Sequence, residues 1–87
     1  MLNYISNSVE HNETIVFIHG IASTSETFIN QIKFFKKDFT VIAVDIPGYG
    51  KSPKIKNTTI SNYASSIHKF LISKNINKPI LIGHSLG

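Results

Sequence analysis

Gly83-His84-Ser85-Leu86-Gly87 places a serine between two glycines in the pattern G-x-S-x-G. The spacing has a physical reason. Where a strand turns sharply into a helix, side chains two positions either side of the serine would collide, so glycine is needed at Gly83 and Gly87. The serine at such a nucleophile elbow is held in a strained conformation, its hydroxyl pushed clear of the sheet, where it can attack a carbonyl. A chance chain of this length contains the pattern about 3% of the time, so it needs support from what precedes it. The sequence has no cysteine, which excludes disulfides, thiolate metal sites and a thiol nucleophile together. The four histidines show no ligand spacing, so neither metal nor cofactor is expected.

The elements that must position Ser85 are legible upstream. Thr14-Ile15-Val16-Phe17-Ile18-His19 is a β-branched and aromatic run stopped by Gly20, the pattern of a strand buried on both faces, placed at 14–19. Ser23-Thr24-Ser25-Glu26 has capping-box spacing, and Phe28, Ile32 and Phe35 share one helical face, which predicts a helix over about 25–36. Thr40 to Asp45 repeats the buried-strand pattern and is broken by Pro47-Gly48-Tyr49-Gly50. Thr59 can cap a helix over about 60–74, whose apolar positions are Ile60, Tyr63, Ala64, Ile67, Phe70 and Leu71. Ile80-Leu81-Ile82 begins a third buried strand reaching Gly83, after a polar stop ending in Pro79. Two consecutive strand–helix–strand units predict an α/β class with parallel strands and right-handed crossovers. Weak alternation over 2–9 allows an edge strand there.

Two further motifs end the first two strands: His19-Gly20-Ile21, and Asp45-Ile46-Pro47-Gly48-Tyr49-Gly50-Lys51-Ser52. With the serine motif they resemble, in order and over about Thr14 to Gly87, the α/β-hydrolase superfamily of serine hydrolases and esterases. That family carries H-G, then D-x-P-G-x-G-x-S, then G-x-S-x-G at the ends of successive central strands. The resemblance implies a three-layer αβα arrangement with helices on both faces of the sheet. It makes Ser85 the nucleophile and the backbone N–H groups of Ile21 and Leu86 the oxyanion hole, with His19, Gly20, Gly83 and Gly87 as supporting positions. It also implies that the first and third strands lie side by side, so that Ile21 and Ser85 meet at the carboxyl edge of the sheet. The family's acid and histidine follow the serine, so residues 1–87 are expected to be one incomplete domain ending just after the elbow, inactive and poorly soluble by itself. His19 and His84 are not expected to serve as the base, and His11 and His68 read as surface residues. Asp45 and Ser52 read as organisers of their own loop through local hydrogen bonds.

The expected substrate is a small or medium-sized carboxylic ester or related acyl compound, since a serine rather than an aspartate at the elbow points away from epoxide opening and halide displacement. A non-catalytic remnant, or a half that works only with a partner, stays open as the alternative. A nucleotide-binding domain is a weaker rival. Gly50-Lys51-Ser52 looks like the end of a P-loop, but Asp45 stands where that loop needs glycine, and Pro53 follows Ser52 where a helix should open. The net charge of +4 comes from nine lysines and no arginine, which argues against nucleic-acid recognition. No apolar run approaches the roughly 20 residues of a membrane span, and the first residues lack the cationic and apolar regions of a secretory signal, so a cytoplasmic location is expected.

Overall fold

The computed structural model describes residues 2–6, 11–20 and 23–84. Its elements run β1 (Tyr4–Ser6), β2 (Thr14–Ile18), a 3-10 turn (Ser25–Phe28) leading directly into α1 (Ile29–Phe35), β3 (Thr40–Val44), α2 (Ile60–Ser73) and β4 (Ile80–Gly83). The sheet order is β1-β3-β2-β4. β2 is parallel to β3, with Thr14 opposite Thr40 and Ile18 opposite Val44. It is parallel to β4 on its other side, with Ile15 opposite Ile80 and Ile18 opposite Gly83.

Strand side chains alternate between faces, and that alternation divides the core in two. Val16, Ile42 and Val44 pack with Leu2 and Ile46 against Ile67, Phe70 and Leu71 of α2. Ile15, Phe17, Val41 and Ala43 face the other way, onto Phe28 and Ile32, with the Phe17 and Phe28 rings stacked at 4.9 Å. One helix therefore covers each face, giving the α/β-type layering expected from the sequence.

Three details depart from the sequence reading. The edge strand begins at Tyr4 rather than at residue 2, residues 7–9 lying outside the described residues, and it runs antiparallel, Tyr4 pairing with Val44 and Ser6 with Ile42. An edge strand needs no crossover to reach its neighbour, so an antiparallel edge on a parallel sheet costs nothing topologically. The helix expected over 25–36 opens as a 3-10 turn capped by Thr24, whose hydroxyl accepts only a long 3.3 Å bond from the Glu26 amide. Its first amide, that of Ser25, is drawn to the distant Asp45 carboxylate at 2.7 Å. The Glu26 amide, which the Ser23 hydroxyl of the anticipated capping box would have taken, goes to Thr24 instead. Finally, β2, β3 and α2 each end one residue earlier than expected.

The close of α2 follows from local chemistry. Asn75 adopts a left-handed backbone with φ 57°, its amide donates to the Ile72 carbonyl at 3.0 Å, and the Ile76 amide reaches back to the Leu71 carbonyl at 3.0 Å. These two bonds form a Schellman motif, with Asn75 in the usual glycine position and Ile76 returning to the core beside Leu71.

Candidate active site

The connectivity reverses direction between β2 and β4, the place where open α/β sheets bind ligands at the carboxyl ends of their strands. There the parallel register puts Ile18 beside Gly83, and the His84 amide continues the ladder by donating to the Ile18 carbonyl at 3.1 Å. His19-Gly20 and His84 thus leave the sheet together. Ser85, Leu86, Gly87 and Ile21 lie outside the described residues; what is seen is that the residues leading into both positions share one edge. The expectation that the first and third motif strands are neighbours is met.

His19 is fully buried. The Ile46 amide can only donate, so Nε2 of His19, 3.1 Å away, must accept. The ring proton is then on Nδ1, which donates to the Gly20 carbonyl at 2.7 Å. With both nitrogens engaged, this imidazole has no lone pair free to take a proton from a serine. It works instead as a bracket between the end of β2 and the loop after β3, with Tyr49 packed edge-on at 5.6 Å.

Asp45 does more than the sequence reading assigned to it. Its Oδ1 accepts from the Ser25 amide at 2.7 Å. Its Oδ2 accepts from the Asn3 side-chain amide at 2.8 Å and from the Lys51 amide at 3.1 Å. Ser52 completes the loop, its hydroxyl donating to the Asp45 carbonyl at 2.5 Å and accepting from the Asn3 amide at 2.8 Å. Burial by itself would raise the Asp45 pKa, but the bonds from the Ser25 amide, the Asn3 side chain, the Lys51 amide and the Ser25 hydroxyl outweigh it and hold the carboxyl below its ordinary value. Gly50 is required beside it: a Cβ there would lie 2.5 Å from the carboxylate, and its backbone has φ +51°. The loop role expected of Asp45 and Ser52 is present, and long-range ties to β1 and to the 3-10 turn are added. Asn3 and Ser25 escaped the sequence reading, because Ser25 contributes chiefly a backbone amide and Asn3 stands in no motif.

The other histidines lie apart. His84 is exposed and is held through its backbone. His68 is exposed on α2. His11, expected at the surface, is half-buried near the amino ends of β2 and β3: its amide donates to Thr40 Oγ1 at 2.6 Å and its ring Nε2 lies 3.1 Å from the Lys36 carbonyl. Among the described residues, no buried side-chain polar atom lacks a partner, no three His, Asp or Glu side chains form a metal-binding group, and no helix is long and apolar enough to cross a membrane.

The model of the α/β-hydrolase fold family matches residues 13–87. This chain belongs to that family. Among curated relatives it is 32% identical over 76 residues to the dihydrolipoyllysine-residue acetyltransferase component of the acetoin cleaving system of Cupriavidus necator, covering 86% of this chain and 20% of that protein. It is 30% identical over 76 residues to (E)-2-((N-methylformamido)methylene)succinate hydrolase of Acinetobacter baylyi, covering 86% and 29%. Two solved structures superpose closely. A marine microorganism esterase gives a TM-score of 0.92 at 26% identity, covering 99% of this chain and 33% of its own. The Bacillus megaterium epoxide hydrolase gives 0.85 at 28%, covering 95% and 30%. This α/β-hydrolase chain therefore spans a fifth to a third of the length of these relatives.

Proposed function

We propose that this α/β-hydrolase chain supplies the nucleophile and the oxyanion-binding amides of a serine hydrolase acting on carboxylic esters or related acyl compounds. The observation that carries the reading is the shared exit of β2 and β4, with Ile18 opposite Gly83. Gly20 and His84, which lead into Ile21 and Ser85, leave the sheet at this one edge. In the reaction, Ser85 Oγ attacks the carbonyl carbon and its proton passes to a histidine base. The amides of Ile21 and Leu86 bind the oxyanion, and the protonated base delivers its proton to the departing alcohol. Water then attacks the acyl-enzyme, releasing the carboxylic acid and restoring the serine hydroxyl. His19 is committed to its two backbone partners, so the base and its acid partner come from the rest of the full-length protein, and the 87-residue chain by itself is inactive. A small-molecule acyl substrate is the only partner the chemistry needs.

A serine at the elbow favours acyl transfer over the epoxide chemistry named for one structural neighbour. The exposed face of β4 favours a second reading, in which the chain acts only as part of a larger sheet supplied by a partner: Ile80, Leu81 and Ile82 are 42%, 55% and 38% exposed. The experiment is hydrolysis of a p-nitrophenyl ester by the full-length protein, with fluorophosphonate labelling and mass spectrometry. Ser85→Ala should abolish labelling and lower kcat by about 10⁴-fold or more. A full-length protein that cleaves no activated ester and takes no label at Ser85 would end the ester-hydrolase reading.

A further inference from the structure

We infer that Asp45 is a positioning residue for the connection between Gly20 and Ser25, the segment holding the oxyanion donor Ile21, an inference that rests on the acyl-transfer reading above. Both ends of that connection are moored to the same dipeptide. At the near end, the Ile46 amide donates to His19, whose other nitrogen donates to the Gly20 carbonyl at 2.7 Å. At the far end, the Ser25 amide donates to Asp45 Oδ1 at 2.7 Å. His19, Ser25 and Asp45 are 0%, 2% and 2% exposed, so water does not compete for these bonds. Only residues 21–24 lie between the two moorings.

The far mooring is rigid because the carboxylate is itself fixed. Its Oδ2 is held by the Asn3 side chain and the Lys51 amide, and Gly50 passes so close that no side chain would fit between. A carboxylate receiving aligned N–H donors in a buried site is a stronger acceptor than a neutral group and costs more to leave unpaired. Oxyanion stabilisation depends on donors fixed in advance, and one misplaced donor costs roughly 10²–10³ in rate. The Asp45–Ser25 bond fixes the far end of the segment at Ser25.

The test removes the bonds that Ser25 gives to Asp45 in the full-length protein. Ser25 is the first residue of the 3-10 turn and follows the extended Thr24, with φ −148° and ψ 174°. Proline is accepted at this position and after such a residue. Ser25→Pro therefore deletes the N–H that Asp45 accepts, together with the Ser25 hydroxyl, while leaving Asn3, Lys51 and Ser52 in place; Ser25→Ala, which loses the hydroxyl alone, is its control. The expected result is a fall in kcat of about 10- to 100-fold with KM little changed, and a parallel fall in the rate of fluorophosphonate labelling at Ser85. Asp45→Asn, whose side chain cannot accept from all three donors, should behave alike. Thr59→Ala, at the N-cap of α2 and outside this network, should lower Tm without lowering kcat well below Tm. If Ser25→Pro and Asp45→Asn keep wild-type kcat, or if Thr59→Ala lowers it equally, Asp45 is structural only and the inference is overturned while the acyl-transfer reading stands. A wild-type protein that neither cleaves the ester nor labels fails the acyl-transfer reading first and takes this inference with it.

Discussion

Two buried polar side chains, His19 and Asp45, are satisfied by opposite means. The imidazole is engaged by one donor and one acceptor, whereas the carboxylate is held ionised by a ring of N–H groups. The carboxylate gives a pH signature. Because its folded pKa lies below its ordinary value, the folded state gains stability from Asp45 above the unfolded pKa of about 4. That gain is lost as pH falls through the folded value, since the unfolded chain binds the proton first. Asp45→Asn should therefore flatten the loss of stability below about pH 4, measured by urea melts of the full-length protein across that range. Gly50 tests the same site sterically. Gly50→Ala must both adopt φ +51° and displace the Asp45 carboxylate, so it should destabilise by about 1–3 kcal/mol. A melt within error of wild type would show that the loop relaxes freely. The sequence marked His19, Asp45 and Gly50 through their motifs, but did not say which donors Asp45 would meet.

At the scale of elements, periodicity and capping residues carried the reading. The Thr59 hydroxyl caps α2 by accepting from the Asn62 amide at 3.1 Å, and Asn62 adds a bond to the Asn57 carbonyl at 2.9 Å. Thr59→Ala should cost about 1 kcal/mol, the usual worth of an N-cap, read as a shift in the urea midpoint at constant slope. On the opposite face, Phe17 is 2% exposed and lies between Phe28 and Phe35. Phe17→Ala should cost about 3–5 kcal/mol by lost burial and the cavity left behind. What element-level reasoning missed was how the first helix is capped. It opens at Ser25 as expected, but as a 3-10 turn; Thr24, not Ser23, takes the Glu26 amide, and a carboxylate 20 positions away in sequence takes the Ser25 amide.

For the whole molecule, the accessible surface is 5762 Å² for 9.7 kDa, against about 5,100 Å² for a compact monomer of that mass. Ile80, Leu81 and Ile82 of β4 are among the exposed apolar residues. β4 pairs on one side only, its four residues are exposed, and an apolar groove of about 340 Å³ runs between Leu81, Ile18 and α2. An uncovered apolar strand edge templates association, so the 87-residue chain alone should sediment as oligomers, and Leu81→Lys should shift it toward monomer. A wild-type chain that runs as a monomer and melts cooperatively would contradict this. The order of strands and helices, and the three motif loops that close them, were determined by the sequence itself. Their signals are local: a buried run of β-branched residues, an apolar face repeating along a helix, and glycine where no side chain fits. Only the tertiary structure decided that β1 runs antiparallel, that α2 leaves β4 uncovered, and that Asp45 moors Ser25. The last of these could not be read in advance, because the amide it binds is common to every residue except proline and leaves no mark on the choice of side chain.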